Sequence, residues 1–184
     1  NWSIYGEVKY TGGKIRIGFQ RRLDNRQDKY IYQNGVYYAY SDDPTGATQW
    51  KNYKGEPITI PLVKAEEALV YEPGDWVTTT QKDKVHIVGG FDWTLTDRGD
   101  LHMVSTVKDL EHNVTKSIHS YMPAGATEFT YTTEFGGSGA LYTSGNDVYL
   151  IGLRGGRVYV DRVEGGTNNF ENLYQQTTGK SFNG

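Results

Sequence analysis

The sequence contains no cysteine, which excludes disulfides and thiolate-bound metals from this chain of 184 residues. It also lacks an apolar run of the roughly 18 residues that a membrane-spanning helix requires, and no signal peptide opens it. There is no excess of positive charge, because the chain has 19 Lys and Arg and 22 Asp and Glu. These absences predict a soluble chain, either mature or part of something longer, without nucleic acid or membrane as a partner.

Tyrosine and glycine, by contrast, are abundant. The 15 Tyr bring the aromatic share to 14%, and 23 Gly are spread along a chain that is only 36% apolar. This mixture is typical of a twisted β protein with many tight turns. Short apolar or alternating segments recur, such as "KIRIGFQ", "VYYAYS", "KVHIVGGF", "DLHMVSTV", "NDVYLIGL" and "RVYVDRV". One helical turn is predicted, in "KAEEAL" at residues 64–69.

A weak internal repeat orders these segments into series of an inner, a middle and an aromatic outer strand. "KIRIGFQ", "YYAYSDD" and "TQWKNY" form one series, and "DVYLIGL", "RVYVDRV" and "NFENLYQ" form another. We therefore predict an all-β fold of β-propeller blades, each of four antiparallel strands. Residues 1–184 are interpreted as a partial propeller of about three blades, at approximately 1–62, 70–133 and 138–184.

Three blades cannot close a ring, since propellers have roughly four to eight of them. The remaining blades are therefore expected in the same chain or in a companion chain. A self-contained β-sandwich with a similar number of strands is the structural alternative.

The stretch "YYAYSDDPTGATQW" at residues 37–50 is nearly an Asp box, the hairpin signature S-x-D-x-G-x-T-W of propeller blades. Its members are Ser41, Asp43, Gly46, Thr48 and Trp50. Side chains of these types close a turn by hydrogen bonds, and the tryptophan packs. The motif predicts a structural role and does not indicate a reaction.

The densest charge cluster is "FQRRLDNRQDKY" at residues 19–30, directly after a predicted strand. Its cations are Arg21, Arg22, Arg26 and Lys29. Arginine holds carboxylates or sulfates through two parallel hydrogen bonds, so the cluster indicates an anionic ligand. The alternative is a solvated loop balanced by its own aspartates. Nearby tyrosines could serve as general acid or base if these cations lower their pKa.

The histidines do not predict a metal site. His86 and His102 lie on opposite strands of one predicted hairpin and could face each other, but no third ligand is fixed by the sequence. A structural role is the more economical interpretation for both, and packing for His119. No Ser-His-Asp arrangement and no phosphate-binding glycine loop is visible.

Long motifs in this chain resemble the later blades of the seven-bladed ulvan lyases of polysaccharide lyase families 24 and 25, and of related BNR-type repeat proteins. They are "KIRIGFQRR", "EPGDWVTTTQKDKVHIVGGFDWTLTDRGDLHMV", "PAGATEFTYTT" and "GGTNNFENLYQQTTGKSF". The resemblance implies β-elimination on ulvan, a sulfated polysaccharide, next to glucuronic or iduronic acid. It also implies a secreted or periplasmic bacterial protein. We expect no cofactor to be required and leave open a structural metal ion.

The resemblance further implies the roles of particular residues. The arginine that neutralises the uronate carboxylate falls in the Arg21–Arg22 pair, with Arg22 favoured, and the family's catalytic tyrosine maps to Tyr5. Substrate-binding roles are predicted for Arg26, Tyr38 and Trp93. The family's histidines come from earlier blades, which this sequence does not contain. Two alternatives stay open, a non-catalytic module that binds anionic glycans and a sialidase-like hydrolase.

Overall fold

A computed structural model describes residues 2–23, 35–75 and 84–182 of the chain, with backbone only at residues 2, 3, 22 and 23. The described part is almost entirely β structure. Its strands are β1 (Trp2–Thr11), β2 (Lys14–Leu23), β3 (Gly35–Ser41), β4 (Trp50–Asn52), β5 (Leu69–Tyr71), β6 (Val85–Leu95), β7 (Leu101–Asp109), β8 (Val114–Met122), β9 (Thr130–Thr132), β10 (Gly139–Ser144), β11 (Asp147–Arg154), β12 (Arg157–Glu164) and β13 (Glu171–Gln175).

The strands form three sheets in chain order. The first is β1-β2-β3-β4 with β5 added to β3, the second is β6-β7-β8-β9, and the third is β10-β11-β12-β13. Sheets of four strands joined in sequence are the blade type predicted from the repeat, and the all-β fold class is confirmed. The first and third sheets each begin with a strand that the repeat did not contain, β1 and β10.

Two single turns of 3-10 helix lie wholly within the described ranges, Ala65–Ala68 and Pro73–Asp75. The first confirms the helical turn predicted at residues 64–69. Its two alanines are 4% and 0% exposed and pack toward the sheet, whereas Glu66 is exposed. No helix within these ranges has the length and apolarity needed to cross a membrane.

The chain divides into two compact units. The first consists of Asn1–Phe91 and Val107–Thr115, and the second of Asp92–Thr106 and Lys116–Gly184. The second sheet therefore contributes one end of its β6–β7 hairpin to each unit.

One core cluster of the first unit lies on one face of the first sheet. Phe19 and Tyr37 are register partners on β2 and β3, and their rings stack at 5.0 Å. Ala65 and Ala68 of the helical turn belong to the same cluster. Alternation along β2 and β3 brings these side chains to one face.

One core cluster of the second unit forms around the third sheet. The buried members of this cluster are Val104, Leu141, Val148, Leu150, Tyr159 and Val163. Partly buried Phe135 and Phe170 pack against it.

The Asp box is a self-contained hydrogen-bonded turn between β3 and β4. One oxygen of Asp43 accepts the backbone N–H and hydroxyl of Thr45 at 2.8 and 2.7 Å, and the other accepts those of Thr48 at 3.1 and 3.0 Å. These bonds hold the pKa of Asp43 below its usual value. The Ser41 hydroxyl donates to the carbonyl of Thr48 at 2.5 Å.

The tryptophan of the motif completes the turn. The indole N–H of Trp50 donates to the carbonyl of Gly46 at 2.8 Å, and the ring packs against the core cluster of the first unit. Gly46 has a φ of 70°, which favours glycine. The structural role predicted for the Asp box is confirmed.

Candidate active site

The predicted catalytic residues lie on the first hairpin, β1–β2. Its two-residue turn is Gly12–Gly13, with φ of 58° and 70°, the conformation that matches the twist of paired strands. A ladder of ten residue pairs follows. At its far end Tyr5 pairs with Gln20, and residue 4 pairs with Arg21. The hairpin therefore brings Tyr5 and the arginine pair to the same end of the first sheet, although 15 residues separate them in sequence.

Tyr5 and Arg21 leave the sheet on opposite faces. Register partners share a face and successive residues alternate, so Tyr5 lies with Gln20, whereas Arg21 lies with Phe19 and Tyr37. Arg22 pairs by its backbone with Ser3, and its side chain is outside the described residues. The catalytic roles of Tyr5, Arg21 and Arg22 stay predictions.

Tyr5 is exposed in this structure. Its side chain is 45% exposed on β1, the edge strand of the first sheet. Ile4, Val8 and Tyr10 on the same strand are each more than 60% exposed. A ligand can therefore reach the phenol of Tyr5 in this structure.

Two of the three predicted substrate-binding residues lie in the described part of the chain, and both are buried. Tyr38 is 2% exposed, and Arg16 Nη1 donates a 2.7 Å hydrogen bond to its oxygen. Burial raises the pKa of Tyr38, and the guanidinium of Arg16 opposes that rise. Trp93 is fully buried in the second unit. Arg26 lies outside the described residues. The roles stay predictions, and for the two aromatic rings they require exposure that this structure does not provide.

Gln20 is a feature that the sequence reasoning passed over. Its side chain is 6% exposed, and its Oε1 has no hydrogen-bond partner among the described residues. The available signal was its position beside the arginine pair in "IGFQRR". Glutamine in a charged stretch suggests a solvated side chain, and only the register across three strands shows that this one is covered.

The histidines that meet are His102 and His119. His102 Nδ1 lies 2.9 Å from His119 Nε2, and both side chains are fully buried. The backbone N–H of Gly166 donates to His102 Nε2 at 2.9 Å. His102 therefore carries its proton on Nδ1 and donates it to His119 Nε2. His119 in turn carries its proton on Nδ1, which has no partner in the described part of the chain.

Burial lowers the pKa of both histidines. That of His102 falls to about 4, against an opposing effect of Asp100. That of His119 falls well below its usual value, first by burial and then by the neighbouring His102. The ring of Phe170 packs edge-on against His119 at 4.8 Å, so the packing role predicted for this residue is confirmed.

His86 does not face His102. A backbone hydrogen bond joins Lys84 to Leu110 at the open end of the β6–β7 hairpin. Another joins Thr96 to Asp100 at the turn. His86 is beside the first pair and His102 beside the second, so the predicted opposition is wrong. Among the residues described, no group of three or more His, Asp or Glu is placed to hold a metal ion.

Comparison with known structures indicates the class of protein that this chain resembles. The chain matches the crystal structure of polysaccharide lyase Uly1 with a TM-score of 0.83 and 51% identity, over 97% of this chain and 38% of that one. The sheets and the hairpin site are therefore similar to a segment of a polysaccharide lyase. No protein-family model matches the chain.

The particular relatives are ulvan lyases. The chain is 52% identical to the long isoform of ulvan lyase from Alteromonas sp, over 99% of this chain and 19% of that protein. It is 48% identical to the short isoform from Alteromonas sp. (strain LOR), covering 35% of it. The resemblance to ulvan lyases predicted from the sequence is confirmed. The chain spans about a fifth to a third of the length of these relatives.

Proposed function

We propose that this chain is part of a polysaccharide lyase that cleaves ulvan, a sulfated polysaccharide containing uronic acid, by β-elimination. The observation that carries the proposal is about 50% identity to ulvan lyases along 99% of the chain. At that identity the side chains of a hairpin site are expected to be largely shared, and the first hairpin holds a tyrosine and two arginines at one end.

The proposed reaction needs three groups. A base removes the proton from C5 of the uronate, the electron pair forms the C4–C5 double bond, and the bond from C4 to the glycosidic oxygen breaks. The leaving oxygen then takes a proton from an acid. Charge that develops on the carboxylate as the C5 proton leaves must be countered by a cation.

Arginine is the side chain suited to that cation, because its planar guanidinium binds a carboxylate through two hydrogen bonds. We assign the role to the Arg21–Arg22 pair and favour Arg22, since Arg21 is directed to the face of the sheet opposite Tyr5. Tyr5 is assigned as acid or base, and its exposure supports access of the substrate.

Other parts of the lyase are proposed to lie outside this sequence. The resemblance implies histidines from earlier blades, and the relatives are three to five times longer than the matched segment. We propose that the remaining blades are partners of this segment and that the protein is secreted, as its polysaccharide substrate requires. Without those blades, the segment alone would bind anionic glycan without cleaving it, which is the second candidate function.

The test is absorbance of the unsaturated uronate during incubation with ulvan. The chain alone and the full-length protein that carries it are compared, with reducing ends measured in parallel. A rise in absorbance supports a lyase, whereas reducing ends without absorbance indicate a hydrolase. If ulvan is bound and neither signal appears with the full-length protein, the binding module replaces the lyase.

A further inference from the structure

The side-chain amide of Gln20 is buried in the first sheet, and within the described part of the chain its oxygen lacks the hydrogen bond that a buried acceptor normally makes. It is 6% exposed, and its Oε1 is unpartnered among the described residues. Leaving a buried acceptor without a donor costs stability, and proteins retain few such groups. A role that uses the free acceptor would account for its retention.

Asn52 on β4 of the same sheet shows what a structural amide looks like in this protein. It is 8% exposed, close to the value for Gln20. Its Nδ2 donates to the Glu56 carboxylate at 2.8 Å and to the Glu67 carbonyl at 3.2 Å. Its Oδ1 accepts the backbone N–H groups of Lys54 and Glu56, both at 3.0 Å. Burial alone therefore does not explain the unpartnered oxygen of Gln20.

The surroundings of Gln20 indicate from which side a donor can arrive. On β3 its partner is Val36, which is fully buried. On β1 its partner is Tyr5, which is 45% exposed and lies on the edge strand. Partners directly opposite share one face of the sheet, so among the described residues the accessible approach to Gln20 passes beside Tyr5.

We propose that Gln20 is a substrate-binding residue whose Oε1 accepts a hydrogen bond from a glycan hydroxyl beside Tyr5. This inference rests on the proposed function. A polysaccharide supplies hydroxyl donors on every sugar, and the hydroxyl in question belongs to the sugar whose carboxylate the arginine pair holds or to its neighbour. The bond is made equally to the bound substrate and to the transition state, so it contributes to substrate binding rather than to the chemical step.

The experiment replaces Gln20 by methionine, which keeps the length of the side chain and removes the acceptor. Stability is measured by urea unfolding, and cleavage of ulvan is measured with the full-length protein. We expect Gln20→Met to unfold at the same or a higher urea concentration than wild type. We also expect KM for ulvan to rise about tenfold with kcat nearly unchanged, as for loss of one hydrogen bond made equally to substrate and transition state.

The matched control is Asn52→Leu, in which all four hydrogen bonds are lost. It is expected to lower the unfolding midpoint. If Gln20→Met is destabilised to the same degree, the glutamine is structural and the inference is overturned. An unchanged KM in a stable Gln20→Met variant also overturns it.

The inference and the proposed function can fail separately. If wild type binds ulvan without cleaving it, the lyase proposal fails, and weaker ulvan binding by Gln20→Met in calorimetry still supports Gln20 as a glycan contact. If wild type cleaves and the variant cleaves with wild-type KM, only the inference fails. If wild type neither binds nor cleaves, both are overturned.

Discussion

Acid should destabilise the second unit through the buried histidine pair. The unfolded chain takes up a proton on His102 below a pKa of about 6.5. The folded chain does not protonate it until about pH 4, because burial disfavours the imidazolium. Between these values the unfolded state binds more protons than the folded state. The free energy of unfolding therefore falls as the pH falls from 6.5 to 4.

The magnitude follows from the difference in pKa. A pKa lowered from 6.5 to about 4 corresponds to a loss of about 3 kcal/mol across that window, by 1.36 kcal/mol per unit. His119 acts in the same direction. The pKa values of Asp43 and Asp100 are held below 3.8, so their protonation lies below the window.

The assay is urea unfolding followed by tryptophan fluorescence at several pH values between 7.5 and 4.5. Trp93 is fully buried in the second unit and reports on it. With a denaturant slope of about 2 kcal/mol per molar, a loss of about 3 kcal/mol lowers the midpoint by about 1.5 M urea.

The dependence of the urea midpoint on pH should be weaker in His102→Gln. This variant keeps an acceptor for the Gly166 N–H and cannot titrate. His112→Gln, the same substitution at an exposed position, serves as the control. A midpoint independent of pH in wild type, or the same dependence on pH in all three proteins, would refute the reasoning.

Three further outcomes are expected. In the full-length protein, Arg22→Ala should abolish the rise in unsaturated-uronate absorbance, while Arg21→Ala should retain more of it. The reverse order would assign neutralisation of the uronate carboxylate to Arg21. Asp43→Ala should lower the thermal midpoint of the chain, since four hydrogen bonds to its carboxylate are lost, and a midpoint equal to that of wild type would contradict the structural role. Gly6→Ala should unfold more easily, measured by urea titration, because its Cβ would lie 2.4 Å from the Gly18 carbonyl oxygen; unchanged stability would show that the hairpin can spread at this point.

Local motifs were predictable from the sequence because their partners are close along the chain. The Asp box closes its turn within residues 41–50, so its spacing alone identifies the bonds. The alternating segments likewise predicted the sheets. The helical turn at residues 64–69 was predicted from the short segment "KAEEAL", whose residues are all adjacent in sequence.

Contacts between distant segments were not predictable in the same way. His102 meets His119 because of the register between β7 and β8, and Gly166 reaches the pair from another sheet. A shift of one residue in either strand would direct these side chains elsewhere. The burial of Gln20 was not predicted for the same reason, since its partners on the neighbouring strands are 15 and 16 residues away.

The β1 edge has a consequence for handling the chain. β1 lies at the border of its sheet with ten residues of extended backbone, long for an edge strand. Glu7 and Lys9, paired at 3.0 Å, are its only charged residues. A long border with few charges is a template on which a second molecule can add its own strand. In concentrated solution the separate chain should therefore associate through edge-to-edge strand pairing, and Val8→Lys should keep it monomeric.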